Sequence, residues 1–430
     1  MVVVLLNIAS NFNKIDSVDK IQRFQMAFIY ILFFYTFCYS FVVRLLLGNL
    51  LNFNLIYSTI PVILMVGYYI FYNDRVNYIV LYFIVFILFI NIISITFYNL
   101  PLSGFYRFLI TVWFPLLLIG IKLERPKYIF TKFLKIYNWL IIANILFGLI
   151  DYVLGRKLQF ILQDWLYFSS FASSIHADLY NGIYRLFSLL GHPLTNMLLL
   201  IIFISSNLIF KQYFKERVPI PMPVIYLITF IGAFLCNSKF GLAILLLLFL
   251  LTILLGKNKG RNLIYVLTCI FIVFSFQSLR ENVLNRFLQS IEGGDVSNGR
   301  FSAIEALMAT EARPLLFVGK GINYSDTLLQ SVSNLDNIEI PMIMFMFDYG
   351  IFTTVLIYSV MYIIPTIIML KNRHWYLWTV FTLIFTFANS FNGMATSAGI
   401  VQIFTFITML FLNLSKSFKL ETQKNYSNDN

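Results

Sequence analysis

A chain of 430 residues that is 60% hydrophobic and only 12% charged, with a mean hydropathy of +0.82, lies far outside the composition of a water-soluble domain. That makes it an integral membrane protein, a single transmembrane unit over 1–430 with no soluble part large enough to fold alone. The net charge of +12 gathers in short loops between apolar runs and does not argue for a nucleic-acid partner.

The chain opens with "MVVVLLNIASNFNKIDSVDK", whose apolar run is too short to span and lacks the order of a signal peptide, so it reads as an interfacial or loose tail. A helix needs about 20 predominantly apolar residues to cross the hydrocarbon, where unsatisfied backbone groups are not tolerated. That ruler predicts about twelve transmembrane helices, near 26–47, 54–72, 78–97, 105–122, 134–154, 193–210, 220–237, 240–256, 262–278, 340–369, 373–391 and 396–414. Cys38, Cys236 and Cys269 lie in or beside apolar stretches without metal-ligand spacing and read as small buried hydrophobes.

Alternate connections are basic: "NDRVN", "KLERPKYIFTKFLK", "KQYFKER", "GKNKGR" and "KNRHW". Cationic loops stay in the cytoplasm, so both termini are expected there. Two long connections then fall outside. Residues 155–184 contain "LQFILQDWLYF", in which Leu158, Ile161, Leu162 and Trp165 recur at helical spacing and predict a helix lying on the outer interface. Residues 279–339, between the ninth and tenth spans, form the only sizeable polar region, and enough apolar residues are present there for order.

The sequence holds no Walker A stretch, HExxH, DxD, nucleophile elbow or His/Cys cluster at metal spacing, so neither a cofactor nor a metal is expected. The remaining candidates are ionisable residues on the expected outer side: Arg185, His192, Lys239, Arg300, Asp336 and Asp348. Each has a plainer reading. Arg185 can snorkel to lipid phosphate, His192 can simply start a helix ahead of Pro193, and Lys239 in "CNSKFG" can be a turn residue. Arg300 can be the solvated side of a helix whose apolar face is Phe301, Ile304 and Met308, while Asp336 can cap the tenth span.

Taken in order, "R…GHPLTN" (Arg185 to Asn196), "NSKFG" (Asn237 to Gly241), "NGR…EARPLLFVGKG" (Asn298 to Gly321) and Asp336-Asn337 ahead of "FDYGIF" resemble the O-antigen ligase and Wzy-type polysaccharide polymerase superfamily. The likeness covers roughly residues 180–355; the first five spans agree in character but offer no motif. It implies an all-helical GT-C-like glycosyltransferase of the bacterial cytoplasmic membrane, metal-independent, acting on its outer side on oligosaccharides carried by undecaprenyl pyrophosphate. It further implies that Arg185 and Arg300 hold the pyrophosphate, with Lys239 and Asn337 also binding substrate, and that a chain-length regulator protein is a partner. The family commonly has His-Asn where this chain has Asp336-Asn337, and a frequent Ser-Arg where it has Ser238-Lys239.

The chemistry agrees on physical grounds. Without a metal, the charge growing on a leaving diphosphate must meet guanidinium, which stays charged and forks onto two oxygens. An acceptor hydroxyl needs a base, Asp336 first and His192 second. Asp348 reads as a partner for a cation. The expected activity is polymerisation of lipid-linked repeat units into a surface polysaccharide: an O-antigen, capsule or exopolysaccharide. A ligase moving the finished glycan to lipid A core or another acceptor is the near alternative, and a polysaccharide flippase the alternative of a different class.

Overall fold

The computed structural model describes residues 24–37, 65, 67–69, 75–166, 169–214, 216–256, 259–277, 280, 281, 284, 288, 300–309, 312–332, 338–396 and 398–428. Among these, secondary structure is helical, and strand-like pairing is confined to the isolated bridges Val76 with Ile121 and Ser188 with Gly191. The protein is all-α. The helices are α1 (Phe24–Phe37), α2 (Tyr78–Tyr98), α3 (Leu102–Gly120), α4 (Pro126–Val153), α5 (Lys157–Leu166) and α6 (Ser169–Tyr180). Then come α7 (Pro193–Tyr213), α8 (Met222–Cys236), α9 (Lys239–Leu255), α10 (Lys259–Ser275), α11 (Arg300–Ala309) and α12 (Tyr324–Val332). The chain closes with α13 (Pro341–Tyr349), α14 (Ile351–Lys371), α15 (Trp375–Ala388), α16 (Gly393–Thr396) and α17 (Ala398–Asn428).

Among the described residues, six helices are long and apolar enough to cross a membrane: α2, α3, α4, α7, α14 and the Gly399–Lys419 part of α17. Shorter apolar helices, α1, α8, α9 and α15, stand where further spans are expected. Most of the expected span at 54–72, much of that at 26–47, and Cys38 lie outside the described residues. The one continuous span expected over 340–369 is corrected. It breaks at Gly350, whose φ of +89° no helical residue adopts, leaving the separate short helix α13 ahead of the spanning α14.

Helix α7 is the hub, packed against α4, α8, α9, α15 and α17. Its apolar window and that of α17 are each 89% buried, whereas α2 is only 33% buried, so α7 and α17 form the centre and α2 the periphery. Apolar side chains such as Tyr82, Phe97, Trp139, Val153 and Phe271 point outward, the pattern of a surface facing lipid. Packing among apolar helices gains little from solvent exclusion in lipid, so polar contacts matter more. Asn138 of α4 and Asn207 of α7 exchange side-chain hydrogen bonds at 3.0 and 2.8 Å in the buried interior. In α3 and α14, a π turn (Leu109–Trp113 and Ser359–Ile363) stands directly before the turn holding Pro115 or Pro365, where the missing N–H interrupts the α ladder.

The basic connections come together at one end. Arg75 pairs with Glu124 at 2.7 Å, Lys127 lies over the Phe418 ring, Lys211 donates to Asn262, and His374 meets Tyr213 and Phe418 edge-on. Gln25 of α1 donates to the Lys122 carbonyl and Asn413 of α17 to that of Ile121, so both terminal helices reach this same end. The far end of α4 and the starts of α7 and α9 lie at the opposite end, and with them Arg185, His192 and Lys239.

Candidate functional site

The segment Ile183–Pro193 links the interfacial helices to the hub. Helix α5 forms where predicted; Ile161 of its apolar stripe is 44% exposed, and the side packed on the protein carries Gln159, 1% exposed. The reason is a polar cluster at the end of α4. Asp151, fully buried, accepts from the Gln159 amide at 3.0 Å, from Gln159 Nε2 at 2.7 Å and from the Tyr184 hydroxyl at 2.8 Å. Gln159 Nε2 also donates to the Arg185 carbonyl at 3.0 Å. Arg156, held at φ +71°, donates to the carbonyls of Ile183 and Asp178, and its guanidinium faces the Tyr184 ring. Burial lowers the Arg156 pKa, and Asp178, Tyr184 and Asp151 oppose that shift.

Asn196 closes the other side of the segment. Its Nδ2 donates to the carbonyls of Leu186 and Gly191, each at 2.9 Å, and its Oδ1 accepts from Asn144 and Ser188. The motif "GHPLTN" is therefore a folded loop pinned by its own asparagine. Backbone pairing of Leu186 N–H with the Leu235 carbonyl at 2.9 Å lays this loop on the end of α8, beside Asn237, Ser238 and Lys239. Asn237 ends α8 in the left-handed conformation, and Ser238 caps α9 by accepting from Gly241 N–H. Two of the four sequence motifs are thus neighbours.

Arg185 emerges from this scaffold with its side chain 13% exposed and Nη1 3.8 Å from Asp178 Oδ2. Its Nε is buried without a hydrogen-bond partner. Burial lowers its pKa, and the carboxylate of Asp178, the Cys236 thiol and the carboxylate of Glu339 raise it. Glu339 matters because it is also the partner of Arg300, which opens α11: both Nε and Nη2 of Arg300 reach Glu339 Oε2 at 2.8 Å. Two guanidiniums far apart in the chain therefore share the field of one carboxylate.

Helix α11 itself packs differently from expectation. Its buried residues are Ala303 and Leu307, while Phe301 and Met308 are exposed. Where a protein meets lipid, an apolar face need not turn inward, so the apolar stripe misreports the packed side.

His192 is the N-cap of α7. Its Nδ1 accepts from Leu194 N–H at 3.3 Å and its ring stands edge-on to Phe187, the helix-start arrangement that Pro193 at the first turn favours. Asp336 and Asn337 lie outside the described residues. Asp348 is corrected: its partners are backbone amides, not a cation. Oδ2 accepts from Asn323 N–H at 3.0 Å and Oδ1 from Ser325 N–H at 2.8 Å, fixing the start of α12. The glycines of "VGKGI" exist for this contact. A β-carbon on Gly319 would stand 2.0 Å from the Asp348 carbonyl oxygen, and Gly321, at φ +93°, donates its N–H to that oxygen at 2.9 Å. The loop then lines a small cavity with Asn91, Ser94 and Gly104.

Sequence reasoning missed Asp151, Arg156, Asp178 and Glu339. Asp151 carried a readable signal, a carboxylate near the end of a predicted span, whereas Glu339 gave none because its partners are remote in the chain. No protein-family model, curated protein or solved structure matches this chain.

Proposed function

We propose that the protein is a membrane glycosyltransferase of GT-C-like architecture that polymerises undecaprenyl-pyrophosphate-linked oligosaccharide repeat units on the outer side of the bacterial cytoplasmic membrane. The observation that supports this reading is Arg185, a largely buried guanidinium whose Nε has no hydrogen-bond partner, on the segment that leads into the hub helix α7. A guanidinium suits a diphosphate because it stays charged and can fork onto two oxygens.

In the reaction, the acceptor hydroxyl attacks the anomeric carbon of the donor sugar and forms the new glycosidic bond. The bond from that carbon to the diphosphate oxygen breaks, and its electron pair leaves with the diphosphate, where Arg185 and Arg300 stabilise the charge. The hydroxyl proton passes to a carboxylate, for which Asp336 is the candidate. Lys239, at the start of α9 and close in sequence to Cys236 beside Arg185, adds positive charge to the same region.

Deletion in the native strain, followed by electrophoresis of surface glycan, tests the reading. Loss of long chains with single repeats retained is the expected result. Loss of all attached glycan would make the protein a ligase, and accumulation of cytoplasm-facing lipid-linked repeats would make it a flippase.

A further inference from the structure

Helix α4 borders a cationic groove at the basic end of the bundle, the end away from Arg185. The helix has 28 residues and is about 42 Å long, against a hydrocarbon thickness of about 30 Å. The excess lies at its Pro126 end, because Ile150 and Val153 near the other end are exposed apolar side chains, the pattern of lipid contact. Taking about eight residues off the Pro126 end puts Lys135 at the hydrocarbon boundary. The exposed Trp139 then stands one turn inside it, at the depth where interfacial tryptophans sit.

Across from these two residues runs the connection from α7 to α8. It is fixed where it leaves α7, since the Phe214 ring stacks on Phe210 and Phe130 with centroids 4.4 and 5.7 Å apart. Glu216 and Arg217 of this connection, Lys135 and Trp139 of α4, and the buried Asn138 and Phe210 line one groove of about 360 Å³. That volume falls among small-ligand sites, roughly 300–1,000 Å³. Lys135, Glu216 and Arg217 are exposed, and none of the three has a salt-bridge partner among the described residues. Two cations against one carboxylate leave the groove with a net positive charge.

A lysine that only snorkels to bulk water requires no facing wall. Here cations from two separate elements open onto one concavity beside lipid. We infer that the groove seats one monoanionic glycerophospholipid, its phosphodiester between Lys135 and Arg217 and an acyl chain running along α4 past Trp139. The charges select this occupant: a single phosphodiester balances the excess cation, while Glu216 opposes a dianionic headgroup and accepts from a headgroup hydroxyl. The surface of α4 selects an acylated one. Trp139, Leu146, Ile150 and Val153 recur at helical spacing and are all exposed, so an apolar stripe continues from the groove into the hydrocarbon. In the expected orientation this end meets the cytoplasmic leaflet, where anionic lipids supply the occupant. The site is independent of the proposed transferase chemistry at the other end.

The test uses the full-length protein purified in neutral detergent and depleted of lipid. Its thermal midpoint is followed as phosphatidylglycerol, phosphatidylcholine or glycerol 3-phosphate is titrated in, because a ligand of the folded state raises that midpoint. Phosphatidylglycerol should raise it along a saturable curve, and the other two, at the same concentrations, should not. Equal stabilisation by phosphatidylcholine would overturn the charge selection, and equal stabilisation by glycerol 3-phosphate would make the groove a phosphate site and not a lipid seat. Lys135→Gln and Arg217→Gln should each raise the half-saturating concentration of phosphatidylglycerol about fivefold, the worth of one interfacial cation. Lys371→Gln removes an exposed cation from the same end of the bundle but outside the groove, and should leave that concentration unchanged. Glu216→Gln should lower it, a gain of affinity that no folding defect produces. An equal shift in Lys371→Gln, or none in the two groove variants, would mean general attraction of lipid to the basic end and would overturn the site.

Discussion

Arg300 sets two nitrogens against a single oxygen of Glu339, each at 2.8 Å, and that carboxylate also acts on Arg185. Groups that hold one leaving diphosphate function as a unit, so removing either should cost nearly as much as removing both. Arg185→Ala, Arg300→Ala and the double variant are each expected to lose on the order of a hundredfold or more in polymer yield, normalised to membrane protein level. Arg185→Lys should restore only part, since a point charge cannot reproduce the fork. Wild-type polymer from both single alanine variants would leave Arg185 as a lipid anchor.

Asp336 holds the position assigned to the base. Asp336→Asn should abolish polymerisation while the protein stays at its normal level in the membrane, read by immunoblot beside the glycan gel. Normal chain length in that variant would move the role to His192 or to another group.

The orientation of the bundle is open to a direct reading. Reporter fusions within 279–339 should score external and those within 122–132 cytoplasmic, because the latter stretch belongs to the basic end. A cytoplasmic score for 279–339 would exclude an enzyme acting on the outer side.

Asp151 accepts three hydrogen bonds that position the segment carrying Arg185. Asp151→Leu leaves the Gln159 backbone amide without its acceptor, at a cost of roughly 1–3 kcal/mol, and removes one of two acceptors from Gln159 Nε2 and from the Tyr184 hydroxyl, which keep the Arg185 and Gly148 carbonyls. The expected outcome is a lower thermal midpoint in detergent together with lost activity. Asp151→Asn, which keeps an acceptor, should recover much of the midpoint.

Asp348 lies in the short helix ahead of the spanning α14. Burial pushes its carboxyl up to about 7, against the opposing pull of the Ser325 and Asn323 amides. The folded protein therefore keeps a proton that the unfolded chain releases near pH 4, so the stability this group contributes is full in acid and falls as pH rises toward 7. Thermal midpoints measured from pH 5 to 8 should fall more steeply in wild type than in Asp348→Asn. Parallel profiles would show that the carboxyl titrates in its ordinary range.

Composition and apolar run length were enough to determine an all-α membrane protein, because a bilayer leaves a chain few ways to satisfy its backbone. Helices beginning at Tyr78 and Pro193 were legible for that reason, as was the cap role of His192 ahead of a proline. Arg185 and Arg300 were also legible as candidates, since a charge is conspicuous in an apolar chain. Only the tertiary structure decided what faces them. The Glu339 carboxylate, the Asp151 cluster and the amides capped by Asp348 join residues remote in sequence or separated by loops, and no local pattern encodes such meetings. The break at Gly350 belongs to the same class: the apolar run resumes beyond Asp348 and Gly350, and the turn is held by the amides of Ile351 and Phe352, which donate to the carbonyls of Leu315 and Leu316. Burial direction, too, was decided by packing alone. In water an apolar stripe must turn inward, but beside lipid Phe301 and Met308 can remain outside while Ala303 and Leu307 make the contact.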